Sequence, residues 1–587
     1  MSANAGIDAI APEAVGEQLG RILNSPGFIS SARLCRFLTH IVNRTLEGDR
    51  ENLKEFSIAM EAFDRTSDYD PSIDAIVRVE ARRLRAKLKA YYEGPGRNDP
   101  VLIALRPGSY VPVFRRLDAP ARQEREQTAA VVEPRRVSVA VLPFVNMSPE
   151  PDQEYFCDGI SEEVMNSLAH ASELDVVART SAFQFKRAAA DVREVGQRLG
   201  ADLVIEGSVR KSGEQLRIAA KAVETESGHH LWSEIFHREL KDVFAIQEEI
   251  AQAVARLLRL HLPEARVRMH PPDGDLEAYT RYLKARVLIY QQSPETLRAA
   301  LRQLRELTEV FPDYALAYSG IAEANGHLAL FGFISGRDVY PEMKAAAERG
   351  YALNPDSGET CTVLGGVRAW FEYRRDDAYR LYDRALKFQP GLARTYRYRA
   401  MALLCQGNIE AAEWGLRRST ELDPLSASDC ARMAYLYYIK GEYRLAAEHL
   451  DKSFDLDRDY PEARFYEGLL NYRQENYDRV IDRLSRSDFT WNIGLLAAAY
   501  ARKGCTSQAR ECVEKLSRLA AVQYVSSLSE AFAAIGIQDF DLAFKRLDEA
   551  IDDKTAFVNL LAIEPFFCPL RSDPRFTTLL KKLNLSH

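Results

Sequence analysis

Four basic side chains recur along one stretch of the sequence, between residues 74 and 92. They lie three or four positions apart, so that a helix would place them side by side. Guanidinium and ammonium groups in such a row donate charge-assisted hydrogen bonds to the phosphates of a polyanion. The spacing therefore predicts a helical surface that binds phosphate groups, with DNA as the expected partner. Its four residues are Arg78, Arg82, Arg85 and Lys89.

The same stretch has a second, apolar face. Val77, Ala81, Leu84, Leu88 and Tyr91 fall together at 100° per residue, which is typical of a helix that packs on a core. An alternative therefore stays open: the arginines form a solvated flank whose aliphatic stems cover the core. In that case Glu80 would pair with a neighbouring arginine.

Other candidates for chemistry are weaker. Three histidines (His229, His230 and His237) lack Cys, Asp or Glu partners at ligand spacing, which favours ordinary strand residues over a metal site. Three acidic residues (Asp158, Glu162 and Glu163) are interpreted as the start of a helix, where negative charge is favourable. The sequence has no phosphate-binding glycine loop or nucleophile elbow. We therefore expect no enzyme, no metal and no cofactor.

The basic helix needs a scaffold, and residues 1–116 supply the pattern for one. Two amphipathic helices precede it, and two short strands, 101–105 and 110–114, follow it around Pro107-Gly108. The order helix, helix, basic helix, hairpin predicts a winged helix. The motif Arg82-Arg83-Leu84-Arg85-Ala86-Lys87-Leu88 and the later Gly108-Ser109-Tyr110 resemble the DNA-binding effector domain of response regulators. That resemblance implies that the basic helix enters the major groove, with Arg106 and Arg115 on the hairpin contacting phosphates.

Residues 117–136 are polar and contain two prolines, which predicts a linker. Residues 137–262 alternate apolar strands with helices, which indicates one small α/β domain. The segments Val139-Ala140-Val141-Leu142-Pro143-Phe144 and Val204-Ile205-Glu206-Gly207-Ser208 resemble the TolB-like domain of bacterial signalling proteins, some of which carry adenylate cyclase modules. The resemblance implies an accessory role and supplies no catalytic residues.

Residues 275–587 repeat themselves about every 34 positions. Ala378, Tyr382 and Ala385 recur as Ala412, Leu416 and Ser419, and again farther along the chain. This pattern resembles the tetratricopeptide repeat, and residues 564–583 resemble the helix that caps such arrays. The resemblance implies an α-solenoid whose first helices line a groove for a protein or peptide partner. The candidate groove residues are Tyr398, Arg432 and Tyr435.

Composition sets the remaining bounds. The 587 residues carry a formal net charge of −7, which excludes a generally basic nucleic-acid coat. The eight cysteines form no CxxC pair, and no apolar run is long enough to cross a membrane, so we expect a cytoplasmic protein with reduced thiols. The predicted fold class is multidomain and predominantly α.

The sequence therefore predicts a non-enzymatic regulator that binds DNA and a protein partner, with a homodimer as one possible assembly. Two other functions remain open. One is a repeat adaptor that binds no DNA, and the other is an accessory protein of cyclic-nucleotide signalling. Salt dependence separates DNA binding from protein binding, because phosphate contacts release counterions.

Overall fold

A computed structural model describes most of the chain after residue 11. Two compact units divide it, residues 1–135 and residues 136–587. The described residues are 12–23, 25, 28, 31–49, 53–63, 76–93, 96, 99–105, 109–116, 136–148, 154–171, 173–186, 190–239, 243–257 and 276–585. The linker prediction for 117–136 lies almost entirely outside them.

The first unit holds four described helices and a hairpin, namely α1 (Pro12–Leu23), α2 (Ala32–Leu46), α3 (Glu55–Phe63), α4 (Ile76–Glu93), β1 (Val101–Leu105) and β2 (Pro112–Arg116). The two strands pair antiparallel, with Ile103 opposite Phe114. The second strand thus begins two residues later than predicted. The five apolar residues predicted on the inner face of α4 are all buried, which confirms the periodicity.

A small sheet opens the second unit. Its elements are β3 (Val137–Val141), β4 (Val145–Asn146), α5 (Glu154–Leu168), β5 (Leu174–Val176), α6 (Arg179–Ala182), α7 (Val192–Leu199), β6 (Leu203–Ser212), β7 (Gln215–Glu224), β8 (His230–Glu239) and α8 (Val243–Leu257). The strand order is β5-β3-β6-β7-β8, and β4 also pairs with β6. The first three strands of this order are parallel, whereas β6, β7 and β8 are antiparallel.

Local signals explain why these elements begin and end where they do. The carboxylate of Asp191 accepts a hydrogen bond from the backbone N–H of Arg193 at 2.8 Å and caps the start of α7. Gly200 ends the same helix with φ of +63°, a conformation that glycine adopts without steric cost. Val139, Ala140 and Val141 are fully buried, because both faces of this central strand are covered.

A helical array occupies residues 276–585. Its helices are α9 (Leu276–Tyr290), α10 (Pro294–Val310), α11 (Ala315–Leu330), α12 (Gly336–Leu353), α13 (Gly358–Trp370), α14 (Arg375–Phe388), α15 (Ala393–Cys405), α16 (Ile409–Leu422), α17 (Ala427–Lys440), α18 (Tyr443–Leu456), α19 (Pro461–Arg473), α20 (Tyr477–Leu484), α21 (Thr490–Arg502), α22 (Thr506–Ala520), α23 (Ser527–Gly536), α24 (Phe540–Asp552) and α25 (Pro574–Lys582). Two 3-10 segments, Ala556–Leu560 and Pro565–Leu570, precede the last helix.

The repeat spacing is visible in the middle of the array. The second helices α14, α16, α18 and α20 begin at Arg375, Ile409, Tyr443 and Tyr477, each 34 residues after the one before. The small and apolar residues that recur in these helices are buried, including Ala378, Ala412 and Ala446. They let paired helices approach closely, which confirms the repeat prediction. Among the residues that the structure describes, no helix combines the length and apolar character needed to cross a membrane.

Candidate functional site

The basic surface of α4 is partly exposed and partly engaged in ion pairs. The Arg78 side chain is 54% exposed, and its Nε lies 3.1 Å from a carboxylate oxygen of Glu55 on α3. The Arg83 side chain is 66% exposed and contacts Glu80 at 2.9 Å, as the alternative interpretation of the sequence expected. In both pairs the arginine side chain stays more than half exposed while its carboxylate partner is largely covered, so the two guanidinium groups remain accessible from solvent.

The hairpin lies beside the same surface. Burial raises the pKa of Tyr110, and Glu55 adds to the rise while Arg78 and Arg85 oppose it. Arg85 is half-buried, and Arg115 is exposed on β2. The side chains of Arg82 and Lys89, and Arg106 as a whole, lie outside the described residues.

The second candidate site is the inner surface of the array. The first helix of each pair, from α11 to α21, contributes side chains to one shared cavity. Tyr398 and Arg432 both line it, and their contact with a partner stays a prediction. Arg432 is paired with Glu462 at 3.1 Å. Tyr435 is a correction, because it is fully buried and its hydroxyl donates a hydrogen bond of 2.7 Å to Glu564.

The partner of Tyr435 belongs to residues 554–583, which we call the C-terminal segment. Part of this segment lies inside the predicted groove. Glu564 is fully buried and accepts hydrogen bonds from Tyr435 and Tyr438, each at 2.7 Å. The ring of Phe557 packs against Phe465 at 5.2 Å between centroids. Residues 564–583 are therefore not simply a capping helix: only Pro574–Lys582 is α-helical, and the preceding 3-10 segments fill part of the groove.

The segment also contacts helices in the interior of the array. Arg375 is 2% exposed and donates hydrogen bonds to the backbone oxygen of Leu583 at 2.7 Å and to Oδ1 of Asn559 at 2.5 Å. Lys554 donates to the backbone oxygen of Phe371 at 2.7 Å. These contacts link residues about two hundred positions apart and hold the C-terminal segment against α13 and α14.

A buried charge network lies where the central α/β block meets the array. Arg286 on α9 contacts Glu323 at 2.7 Å and Glu162 of α5 at 3.6 Å. Arg394 contacts Glu323 at 3.1 Å and Glu359 at 3.0 Å. Burial alone would raise the pKa of Glu323, but Arg394 and Arg286 outweigh it and hold that pKa at about 2. The carboxylate is therefore ionised at neutral pH.

The acidic residues near position 160 also differ from their interpretation. The helix begins at Glu154, so Asp158, Glu162 and Glu163 lie within α5 and not at its start. Glu162 pairs with Arg179 at 3.2 Å and accepts a hydrogen bond from Tyr290 at 2.6 Å. Asp158 pairs with Lys186 at 2.7 Å. These carboxylates join elements of the second unit.

Sequence reasoning missed this network. Arg286, Glu323, Glu359 and Arg394 lie on four successive first helices but at different positions within them, so no single repeat position marks the network. Within the described residues, no group of three or more His, Cys, Asp or Glu side chains is placed to hold a metal ion.

Comparison with known proteins finds a match in the central α/β block. Residues 135–253 match the model of the HilA/YgeH-like transcriptional regulator, second domain. Over 191 residues the chain is 37% identical to "Putative adenylate cyclase 3" of Rhizobium meliloti (strain 1021), which covers 32% of each chain. Over 130 residues it is 32% identical to the type IV pilus assembly protein PilF of Pseudomonas aeruginosa, covering 20% of this chain and 50% of that one.

The chain thus spans between a third and a half of the length of these two relatives. Among solved structures, a human IFIT1 dimer with m7Gppp-AAAA overlaps 58% of this chain and 78% of its own, with 13% identity and a TM-score of 0.39. The described structure is predominantly helical, with a small central sheet and a C-terminal helical repeat array of the tetratricopeptide type.

Proposed function

We propose that this protein is a non-enzymatic transcriptional regulator that binds DNA through α4 and the β1–β2 hairpin. The observation that carries the proposal is the match of residues 135–253 to the second domain of a transcriptional regulator family. In this chain, residues 12–116 precede that domain and carry the basic helix. A winged helix in this position would place Arg78 and Arg85 against DNA phosphates or base edges.

The experiment measures binding of the full chain to mixed-sequence duplex DNA by fluorescence anisotropy across a salt series. Four phosphate contacts predict a loss of affinity of about a hundredfold between 50 and 200 mM salt. The variant Arg82→Glu/Arg85→Glu is expected to lose binding. A matched control, Arg380→Glu/Arg444→Glu, makes the same change of charge at side chains that are 78% and 80% exposed on the array, and should bind like the wild type.

The result separates the regulator from the adaptor. Binding that is insensitive to salt, or that both charge-reversal variants weaken equally, would contradict a DNA surface on α4. Absence of binding at low salt would favour a repeat adaptor. Binding of a protein or peptide to the array remains the second part of the proposal. A peptide that contacts Tyr398 and Arg432 would have to share the groove with residues 556–570.

A further inference from the structure

A cavity of about 110 Å³ remains among the first helices of the array, beside the C-terminal segment. Its wall is rich in aromatic side chains, which include Trp370, Tyr398, Phe465, Tyr466, Trp491 and Phe557. An apolar cavity of roughly 150 Å³ is known to admit a benzene ring. The cavity in this protein is smaller than that, so it can take one ring only if its wall adjusts slightly.

The C-terminal segment limits the size of the ligand that can enter the cavity. Residues 556–560 form one wall of the cavity, so the space there is not an open groove. An α-helix with its side chains is about 10 Å wide. A helical peptide would have to displace Phe557, whose ring packs at 5.2 Å from Phe465 and 5.6 Å from Trp491. A small molecule needs no such displacement.

The charges that line the cavity cancel. Glu323 pairs with Arg394 at 3.1 Å, and Glu462 pairs with Arg432 at 3.1 Å. Burial lowers the pKa of His327 by more than the neighbouring Glu323 raises it, which favours the neutral imidazole. Two positive and two negative side chains offer no net attraction to an ion. An uncharged ligand also avoids the cost of desolvating a charge.

Three residues that line the cavity carry polar atoms without partners. Among the described residues, Nε1 of Trp491, Nε of Arg394 and Nδ1 of His327 are buried without a hydrogen bond. The first two can only donate, because an indole N–H and a guanidinium have no acceptor. A buried donor without an acceptor is costly, so a ligand oxygen that accepts from one of them would gain binding energy.

We propose that this cavity binds a small uncharged aromatic molecule, one ring in size, that carries a carbonyl oxygen or another neutral acceptor. The aromatic wall contacts the ring, and the unpartnered donors orient the oxygen. The proposal does not depend on DNA binding by the first unit, so either can fail without the other.

The experiment uses acetophenone, an uncharged ring with one carbonyl, and the full chain. Saturation-transfer difference NMR detects contact with the ring, and calorimetry gives the affinity. Benzoate, which has the same ring and a negative charge, is the comparison ligand. We expect acetophenone to bind and benzoate to bind at least tenfold more weakly.

Two variants place the ligand in the cavity. A Cβ atom at Gly366 would have the Tyr398 ring as its nearest neighbour at 3.7 Å, an ordinary contact, so Gly366→Leu can fill the cavity without a backbone clash. It should abolish acetophenone binding. Trp491→Phe keeps a ring and removes the N–H, and should weaken binding roughly five- to tenfold. Trp414→Phe is the control, because Trp414 is 53% exposed and lies outside the cavity wall.

Several results would overturn the proposal. The absence of saturation transfer to acetophenone in the wild type would do so. So would unchanged binding in a Gly366→Leu protein whose circular dichroism and melting temperature show that it is folded. If Gly366→Leu does not fold, Trp491→Phe decides: an affinity equal to that of Trp414→Phe contradicts the proposal, and a selective loss supports it. Equal affinity for benzoate would contradict an uncharged ligand.

Discussion

Glu163 shows how a single buried carboxyl affects this fold. It lies within α5 and is only 5% exposed. Burial raises its pKa well above the ordinary value, and the neighbouring charges of Glu162 and Glu359 raise it further. The folded protein therefore holds a proton on this group at pH values where the unfolded chain releases it. The contribution of Glu163 to stability is complete below the unfolded pKa of about 4.3 and is lost as pH rises through the folded pKa.

The variant Glu163→Gln removes this pH dependence. We expect it to raise the free energy of unfolding at pH 8 by about 1 kcal/mol or more, since a tenfold change in a proton-binding constant corresponds to about 1.4 kcal/mol. Near pH 4 the variant and the wild type should be almost equally stable. Urea unfolding at both pH values measures the difference. A variant that is less stable than the wild type at pH 8 would show that the ionised carboxylate is favourable in the folded state.

Sequence periodicity predicted much at the scale of residues but not the partners of charged groups. It placed Val77 and Leu84 on the buried face of α4 and Ala378 inside the array, because burial follows the helical period. It did not indicate that Arg375 would be 2% exposed. The acceptors of that guanidinium lie about two hundred residues away, and no local pattern contains them.

At the scale of elements, the carboxylate of Glu564 is one of the groups that hold the C-terminal segment in place. Glu564 accepts hydrogen bonds from two tyrosine hydroxyls and from the backbone N–H of Phe566, at 2.7 to 2.9 Å. Glu564→Ala leaves Tyr435 and Tyr438 with buried hydroxyls that have lost their acceptor. We expect a loss of about 2 to 4 kcal/mol in the free energy of unfolding.

The controls for this prediction separate the acceptor from the space it fills. Glu564→Gln keeps an acceptor oxygen and should cost less than Glu564→Ala. In a Tyr435→Phe/Tyr438→Phe background the hydroxyls are absent, so the further effect of Glu564→Ala should shrink. Denaturant unfolding of the wild type, Glu564→Ala, Tyr435→Phe/Tyr438→Phe and the triple variant gives the coupling free energy between Glu564 and the two hydroxyls. Equal costs of Glu564→Ala in both backgrounds would contradict the hydrogen-bonded fastening.

The sequence predicted the helices of the array better than the docking of its end. A 34-residue period predicts which helices form and which of them pair, because neighbouring repeats contact each other. The position of residues 556–570 depends instead on Tyr435, Tyr438 and Phe465, which lie about a hundred residues earlier in the chain. The groove was therefore predicted as open, and the structure shows it partly filled.

At the scale of the second unit as a whole, the central α/β block and the array share a polar interface. Arg418 of α16 contacts Asp175 of β5, with one nitrogen at 2.9 Å. Ser181 donates a hydrogen bond of 2.6 Å to Asp423, and the backbone N–H of Ala178 donates one of 2.7 Å to Leu422. The domain boundary predicted between 262 and 275 lies inside this one compact unit. Such contacts couple the unfolding of the two parts.

The coupling predicts a single cooperative transition for residues 136–587. Hydrogen exchange of the full chain at increasing urea should give equal opening free energies for peptides from β6 and from α17. Arg418→Ala breaks a pair whose side chains are 11% and 21% exposed, and should lower both values together by about 2 kcal/mol. Arg444→Ala, at an exposed pair on α18, is the matched control and should change neither value by more than about 0.5 kcal/mol. If Arg418→Ala lowered protection in β6 alone, the central block would unfold independently of the array. Ligand binding at the array could then not affect the block through this interface.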